Sequence, residues 1–402
     1  MTESPDQHRQ YLEKQIIAYI GNKRRLINLI REAISSCGYG SDASGRGIFF
    51  DPFAGSGIVS RLAKSLGFSV IANDWEYYSF VINSAYVGTD AGDIDTLFGS
   101  RMNFESLLYE INNLPDPEPD MQYIAKYYAP SDNDIDKADF RKERLFYTRE
   151  NALRIDRIRN YIAENYGSGD EKSIQAGYLL TGMLLYQAAT HTNTSGVFKA
   201  YHKGFGGHGK DALGRILKPI TLEVPPLIDS ACRARIFMED ANVLAKSGKA
   251  GGASIAYLDP PYNQHQYGSN YHLLNTIARW DRVPAPLETG NDGRLLEKAA
   301  IRKDWINTRS LYCCRKKAPD SFRQLLESID AKSVIVSYST DGIIPFEEMK
   351  GICASRGRLT VKTNEYTKYR GGKQSNSRLN SNIEYVLIID TGVKNSRRAI
   401  ND

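Results

Sequence analysis

Asp259-Pro260-Pro261-Tyr262 contains the residue types from which a site for modifying an amine could be built. It follows residues 253–258, an apolar run typical of a buried strand, and α/β sheets place their chemistry at the carboxyl ends of such strands. The Asp259 carboxylate and the Pro260 carbonyl are two acceptors that suit a flat NH₂ group, and Pro261 stiffens the turn. The Tyr262 ring could stack against the plane that carries the amine. The alternative interpretation is a proline turn that only ends a core strand.

A second segment, Asp51-Pro52-Phe53-Ala54-Gly55-Ser56-Gly57, leaves another predicted strand and enters a predicted helix. Glycines there let a ligand approach the backbone beside the helix N-terminus. The next strand ends at Asp74, seventeen residues beyond Gly57, where a carboxylate could bind ribose hydroxyls. The third glycine of the dinucleotide fingerprint is absent, so the pattern favours S-adenosylmethionine, which has a ribose and no phosphate, over NAD. Asp240, at the end of a third strand, could accept from the adenine amino group or could be a simple turn carboxylate.

Hydrophobic periodicity predicts an α/β protein with a Rossmann-like sheet. Runs rich in β-branched and aromatic residues predict strands at 47–53, 69–73, 234–238, 253–258, 333–339 and 384–390. Helical patterns cover 58–66, 151–166 and 173–189. We therefore expect a discontinuous α/β domain, residues 1–90 and 231–395, and an inserted, mainly helical domain, residues 91–230.

The composition is that of an ordinary globular protein, with 402 residues, 41% hydrophobic and 25% charged content and a net charge of +5. The N-terminus has no apolar signal core, and the longest apolar run, 176–189, is short and interrupted by polar residues. We therefore expect a cytoplasmic protein with no membrane partner. The five cysteines form no C-x-x-C pair, and His265 and His272 lack H-E-x-x-H spacing, so no metal site is predicted.

Basic residues cluster at 141–159, 302–317 and 362–378. Such clusters could follow a phosphate backbone, or they could be solvated faces. Residues 204–210 fit G-x-x-x-x-G-K, but Asp211 stands where Ser or Thr should hold magnesium, which disfavours a nucleotide P-loop. A basic loop that touches nucleic acid is the preferred interpretation of residues 199–218.

D-P-F-x-G-x-G followed much later by D-P-P-Y resembles the S-adenosylmethionine-dependent amino-group methyltransferases of DNA. Tyr19-Ile20-Gly21-Asn22-Lys23 precedes the glycine loop, as in the Dam-like, alpha-ordered N6-adenine class. The longer string 259–272, together with 146–151 and 337–339, is similar to the FokI-type modification methylases. The resemblance covers most of residues 15–390. It implies a site-specific adenine methyltransferase of a restriction-modification or epigenetic system. In that class, residues 1–90 and 231–395 would form the catalytic, cofactor-binding domain with a Rossmann-like methyltransferase sheet, and residues 91–230 would form the target-recognition domain.

The resemblance also assigns site residues. Cofactor contacts fall on Tyr19, Lys23, Asp74 and Asp259, while Asp51, Phe53, Gly55 and Gly57 form the loop around the methionine part. Asp259, Pro260, Pro261 and Tyr262 become the catalytic segment, in which Asp259 and the Pro260 carbonyl hold the amine of an adenine that has flipped out onto Tyr262.

The implied cofactor is S-adenosylmethionine, and the implied partner is double-stranded DNA, bound by a monomer of prokaryotic or phage origin with or without a cognate restriction endonuclease. N4-cytosine methylation is the first alternative, although that family usually has Ser in place of Asp259. An RNA adenine methyltransferase and a DNA-binding relative that has lost catalysis are the others.

Overall fold

The computed structural model describes residues 5–39, 47–166, 168–231, 233–365 and 383–392. The strands are β1 (Ile48–Asp51), β2 (Ser69–Asn73), β3 (Arg235–Phe237), β4 (Ala253–Leu258), β5 (Ala331–Ser339), β6 (Arg358–Glu365) and β7 (Ile383–Asp390). The α-helices are α1 (Pro5–Glu13), α2 (Ile27–Ser36), α3 (Ile58–Ser65), α4 (Tyr77–Tyr86), α5 (Asp93–Phe98), α6 (Arg101–Asn112), α7 (Ile124–Tyr127), α8 (Arg149–Tyr166), α9 (Glu171–Thr190), α10 (Leu213–Leu217), α11 (Ala241–Lys246), α12 (Tyr267–Asn270), α13 (His272–Arg279), α14 (Ala318–Ser328) and α15 (Phe346–Ala354). Short 3-10 turns cover Lys23–Leu26, Pro119–Met121, Ile135–Lys137, Lys303–Thr308 and Leu311–Cys313.

Within these ranges the strands form one sheet in the order β3-β2-β1-β4-β5-β7-β6. Strands β1 to β5 pair in parallel, whereas β7 runs antiparallel between β5 and β6. The chain order reverses between β1 and β4, which is where doubly wound sheets open a crevice for a ligand. The predicted Rossmann-like α/β fold is confirmed.

The predicted strands are all present, each ending within two residues of its expected bounds. The edge strand β6 has no counterpart among them. Its sequence, Arg-Leu-Thr-Val-Lys-Thr-Asn-Glu, alternates charged or polar residues with few apolar ones, as in an edge strand that faces water. Periodicity of apolar residues therefore detects the central strands and misses this one.

The two faces of the sheet are both covered, and alternate strand residues show how. Phe49 and Ile255 belong to a core with α2 and α3, whereas Phe50 and Ala256 belong to a core with α11 and α14. Because helices cover both faces, the central strands are apolar along their whole length.

A third core joins the helices of the inserted region to helices that flank the site. Ile158 of α8 and Leu184 of α9 share it with Tyr78 of α4 and Leu274 of α13. Helices α4 and α9 make extensive contact. The inserted region is thus anchored on helices that follow β2 and β4 in the chain.

Two basic residues of the 141–159 cluster, Arg144 and Arg159, are buried, so neither a phosphate contact nor a solvated face describes them. Arg144 is 0% exposed and donates to backbone carbonyls of Tyr127, Ala285, Pro286 and Glu297. Arg159 is also buried and donates to the carbonyls of Ile277 and Ala278 at the end of α13. Their guanidinium groups donate hydrogen bonds to backbone carbonyls inside the protein. Charge counting cannot distinguish this role from DNA binding.

Other sequence features take structural roles as well. Residues 204–210 lie in turns, and the described residues between β2 and β3 contain no strand that could precede a P-loop. His272 is buried with Nε2 2.8 Å from the Phe198 carbonyl oxygen, and burial lowers its pKa to about 4. In the described parts of the chain no three His, Cys, Asp or Glu side chains are grouped as metal ligands. Likewise, no helix there is long and apolar enough to cross a membrane.

Candidate active site

A cavity of about 910 Å³, counted with its open mouth, lies at the carboxyl ends of β1 and β4. The loops after β1, β2, β3 and β4 line it, together with the N-terminal segment 19–23 and residues from 308 to 312. Its lining includes most of the residues singled out from the sequence: Tyr19, Lys23, Asp51, Phe53, Gly55, Asp74, Asp240, Asp259, Pro260, Pro261 and Tyr262. Gly57 is outside the lining and precedes the first residue of α3.

The Asp259 carboxylate, directly after β4, is paired with the buried ammonium of Lys23. Lys23 Nζ lies 3.0 Å from Asp259 Oδ1, and Lys23 is 3% exposed. Burial alone would lower the pKa of Lys23, but Asp259 and Glu384 outweigh it and the pKa is raised. Burial raises the pKa of Asp259 to about 6, with Lys23 opposing the shift. Asp259 is therefore ionised above about pH 6, and one of its oxygens is fixed by a cation.

The ring of Tyr262 is held in place beside Asp259. A Cβ added to Gly21, which has φ +78°, would lie 3.0 Å from Cε1 of the ring. Tyr338 meets the same ring edge to face, with centroids 6.3 Å apart and an interplanar angle of 83°. The Ile343 N–H donates to the Tyr262 carbonyl at 2.9 Å. Glycine at position 21 is thus required by close approach of an aromatic ring as well as by backbone conformation.

The Asp74 carboxylate connects the end of β2 to the glycine loop. Its Oδ2 accepts from the Gly55 N–H and its Oδ1 from the Glu76 N–H, both at 2.9 Å. Burial raises its pKa, and these hydrogen bonds oppose the rise. Each carboxylate oxygen keeps a further lone pair, so Asp74 can still accept from hydroxyl groups of a ligand.

Tyr19 forms one wall of the cavity within a group of tyrosines. Its ring stacks on Tyr271 with centroids 4.8 Å apart, and its hydroxyl accepts from that of Tyr78 at 3.1 Å. A Cβ added to Gly55 would lie 2.9 Å from Tyr19 Cε1, so this ring rests directly on the glycine loop. The N-terminal segment and the glycine loop therefore meet at the cavity wall.

Asp51, the last residue of β1, carries a buried oxygen without a partner. The Ser60 hydroxyl donates to Oδ2 at 2.7 Å, whereas Oδ1 has no hydrogen-bond partner among the described residues. Burial raises the pKa of Asp51 to about 7. An unsatisfied buried carboxylate oxygen is costly, and a cationic or hydrogen-bond-donating ligand would remove that cost.

The charges that line the cavity are strongly unbalanced. Lys23 is the one cation among its described lining residues. The acidic lining residues are Asp51, Asp74, Glu76, Glu239, Asp240 and Asp259. Such a site disfavours phosphate groups and favours a ligand that carries positive charge.

Asp240 has a structural role in addition to its place at the cavity. Its Oδ1 accepts from the Asn242 and Val243 N–H groups at 2.9 and 3.0 Å and so caps α11. The interpretation as a turn carboxylate therefore accounts for one oxygen. The adenine contact remains a prediction that concerns the other.

Sequence patterns did not identify several residues that complete the wall. Glu76 is buried and accepts from the Thr308 hydroxyl and the Asn275 amide, each at 2.7 Å, and burial raises its pKa to about 7. Gln266, which follows the D-P-P-Y segment, exchanges two hydrogen bonds with the Ser310 backbone at 2.8 and 3.1 Å. The acidic position two residues after Asp74 was a signal for Glu76, but nothing local marks Thr308 or Ser310.

Exposed cations lie close in the sequence to two residues that line the cavity. Ser310 and Tyr312 line it, and the residues around them include exposed cations without an ion-pair partner among the described residues: Arg309, Arg315, Lys316 and Lys317. Arg302, the first member of the 302–317 cluster, instead bridges Asp281 and Asp304 at 2.6 and 2.8 Å. We call Arg309 and residues 315–317 the cationic rim.

Two further basic segments border this region. The Phe198 N–H donates to the Asn270 carbonyl at 2.7 Å, which brings the exposed Lys199 and the start of the 199–218 loop close to the D-P-P-Y segment. Of the 362–378 cluster, Lys362 lies on β6 and donates to the Ser36 hydroxyl at 2.8 Å. Residues 366–378 lie outside the described residues.

Comparison with known proteins agrees with this geometry. The family described as "D12 class N6 adenine-specific DNA methyltransferase" matches residues 19–291, which include the glycine loop and Asp259-Pro260-Pro261-Tyr262. The chain is 32% identical to type II methyltransferase M.NlaIII of Neisseria lactamica, over 92% of this chain and 98% of that protein. It is 31% identical to modification methylase LlaI of Lactococcus lactis subsp. lactis and 29% identical to type II methyltransferase M.FokI of Planomicrobium okeanokoites. These alignments cover 92% and 94% of this chain, and the chain spans 54% of each of those two relatives.

The resemblance seen in the motifs is therefore confirmed across the region that builds the cavity. The family match extends from Tyr19 of the cavity wall past the catalytic segment. We conclude that this chain belongs to the D12 class of N6 adenine-specific DNA methyltransferases.

Proposed function

We propose that the protein moves a methyl group from S-adenosylmethionine to N6 of adenine in double-stranded DNA, with Asp259 and the Pro260 carbonyl holding the amine. The observation that carries this proposal is the Lys23 to Asp259 pair at 3.0 Å, set at the wall of an acid-rich cavity and next to the fixed ring of Tyr262. Such a pair keeps an ionised acceptor in a position where an amine can reach it.

The charge of the cavity supports S-adenosylmethionine as the donor. The cofactor carries a sulfonium and an ammonium group, which suit a lining rich in carboxylates, whereas the pyrophosphate of NAD would be repelled. Asp74 would accept from the ribose hydroxyls, and the unpaired Oδ1 of Asp51 lies on the side of the glycine loop where the methionine part would bind. When bound, the cofactor supplies an activated methyl group, so the protein contributes position and charge.

The amine of adenine is a weak nucleophile because its lone pair is delocalised into the ring. Lys23 pairs with Asp259 Oδ1, so Oδ2 is the oxygen that would accept one N–H of the amine. The Pro260 carbonyl would accept the other. These bonds favour a tetrahedral nitrogen and stabilise the positive charge that develops on it during transfer.

Within a duplex the amine is stacked and out of reach, so the target adenine would leave the helix and rest on Tyr262. Unstacking costs a few kcal/mol, and base-aromatic stacking returns about 1–3 kcal/mol. The cationic rim is close in the chain to Ser310 and Tyr312 of the cavity lining, and we propose that it contacts the phosphates on either side of the flipped base.

We also propose that the helical insert, residues 91–230, selects the DNA sequence. It shares a core with α4 and α13, which follow the cavity-lining residues Glu76 and Tyr267 in the chain, and it carries the exposed Lys199. Exchange of the insert with that of a related enzyme should transfer the methylated motif while adenine remains the modified base. A folded and active chimaera that kept its original motif would place recognition elsewhere.

Two measurements test the proposal together. Calorimetry should show S-adenosylmethionine binding to the wild type and weaker binding to Asp74→Asn, while NAD should not bind. Tritium from labelled cofactor should enter duplex DNA at adenine and not at cytosine, and RNA should remain unlabelled. Labelled N4-methylcytosine or labelled RNA would favour one of the alternatives, and cofactor binding without any transfer would indicate an inactive relative.

The relatives add a biological setting. They are named type II methyltransferases and modification methylases of bacteria and of a Chlorella virus. We propose that this protein acts as a monomer in the cytoplasm and protects DNA from a cognate restriction endonuclease. Sedimentation of the protein with one duplex site tests the stoichiometry, and protection of methylated DNA from cleavage tests the pairing.

A further inference from the structure

Glu384, on strand β7, lies close to the Lys23–Asp259 pair, although no sequence motif marks this strand. Its Oε2 lies 3.7 Å from Lys23 Nζ, the same ammonium that lies 3.0 Å from Asp259 Oδ1. This Oε2 atom is buried and has no hydrogen-bond partner among the described residues. Two carboxylates therefore share one buried cation.

The topology of the sheet explains why Glu384 reaches the site. Strands β1 to β5 are parallel, and their carboxyl ends form the edge at which Asp259 lies. Strand β7 runs in the opposite direction, so its first residues lie at that same edge, with Glu384 opposite Ser339 at the end of β5. An antiparallel strand thus delivers an acidic side chain to a site otherwise built from the ends of parallel strands.

The three charges have different environments. Lys23 is 4% exposed in its side chain, Asp259 17% and Glu384 26%. Glu384 cannot complete a hydrogen bond to Nζ at 3.7 Å, whereas Asp259 can at 3.0 Å. The ammonium is therefore drawn toward Glu384 electrostatically while it bonds to Asp259, which fixes its position between the two.

We propose that Glu384 is a positioning residue, which acts through Lys23 to set the orientation and the charge state of Asp259. This inference rests on the proposed role of Asp259 as the acceptor for the amine. If Lys23 were free to move, it could bond to both Asp259 oxygens and compete with the amine for Oδ2. A second carboxylate 3.7 Å from Lys23 Nζ would oppose this movement by its attraction for the ammonium.

The other titratable groups near Asp259 are not expected to change its charge state in the way that Glu384 does. They are Asp51 at the end of β1 and a set of buried tyrosines, namely Tyr257, Tyr262, Tyr267 and Tyr338. Burial raises the pKa of each tyrosine above 10, so all of them remain neutral in the range where Asp259 titrates. Asp51, with a pKa of about 7, lies on the cofactor side, and assays at saturating S-adenosylmethionine keep its surroundings constant.

The test is the pH profile of single-turnover methyl transfer for Glu384→Gln and Glu384→Asp. Both carboxylates lie within 4 Å of one ammonium and hence within about 7 Å of each other. The acidic limb is the part of the profile in which the rate falls as the pH decreases. Glu384→Gln removes a like charge at that distance, and with an effective dielectric constant of about 20 to 40 this should move the acidic limb to lower pH by about 1 to 2 units. Glu384→Asp keeps the charge and should leave the limb close to its wild-type position, even if the rate falls.

Glu327→Gln is the matched control, since it makes the same chemical change on the exposed face of α14 and should leave the profile unchanged. If the limb of Glu384→Gln coincides with that of the wild type, or if Gln and Asp shift it equally, Glu384 does not set the charge state of Asp259. A merely structural role would change stability or overall rate and would leave the limb in place. Full activity of Asp259→Asn would instead overturn the role proposed for Asp259 itself.

Discussion

Replacing Arg144 with methionine tests whether this arginine stabilises the fold or binds DNA. Arg144 is 0% exposed and makes five hydrogen bonds of 2.7 to 3.2 Å to four backbone carbonyls, three of which belong to the segment from 285 to 297. Methionine fills much of the same volume but leaves those carbonyls without a donor. We therefore expect the free energy of unfolding to fall sharply.

The size of the loss follows from the contacts. Each hydrogen bond from a charged donor contributes about 1.5–3 kcal/mol to the free energy of unfolding. Because the buried guanidinium is itself costly to desolvate, the contributions of the five hydrogen bonds cannot simply be added. Breaking a buried charged network generally costs about 3–5 kcal/mol, and we expect Arg144→Met to lose that amount. Out of a typical total of about 5–15 kcal/mol, this loss should be plain in urea denaturation.

Arg141→Met is the matched control. Arg141 is exposed and lies three residues away in the same basic cluster, so its replacement should change the free energy of unfolding by less than about 0.5 kcal/mol. Hydrogen exchange should also accelerate in residues 285–297 for Arg144→Met and not for Arg141→Met. The reasoning would be refuted if Arg144→Met unfolded like the wild type and lost only DNA affinity, with a weaker dependence on salt.

Further predictions concern the site and its rim. The rate of methyl transfer should decline as the pH falls below about 6, because the pKa of Asp259 is about 6 and only the ionised carboxylate can accept an N–H of the amine at Oδ2 and remain charged. A single-turnover rate that stayed constant down to pH 5 would contradict this prediction. Gly21→Ala should displace the Tyr262 ring, since the new Cβ would lie 3.0 Å from it, and should weaken the 2-aminopurine signal of a flipped target base more than it weakens DNA binding. Lys316→Ala and Arg315→Ala should weaken binding to all DNA sequences alike and lower the salt dependence, as fluorescence anisotropy at several salt concentrations would show, whereas an unchanged slope would remove them from the DNA contact.

Local sequence was sufficient to predict the central strands and the two motif segments that line the cavity. The central strands are apolar throughout because helices cover both faces, and the D-P-P-Y and glycine-loop segments lie where strands end. Parallel strands of one sheet place their carboxyl ends together, so knowing the strands was enough to expect that Asp51, Asp74 and Asp259 would meet.

Contacts between distant segments required the tertiary structure. Lys23 and Asp259 are far apart in the chain, and without the family resemblance nothing in either segment indicates their 3.0 Å contact. Glu384 reaches the pair only because β7 is antiparallel, and the wall formed by Thr308 and Ser310 comes from short 3-10 turns without a motif. Charge composition likewise cannot separate the buried Arg144 from the exposed Arg315, because a guanidinium bonds equally well to a carbonyl or a phosphate, and only burial decides which it meets.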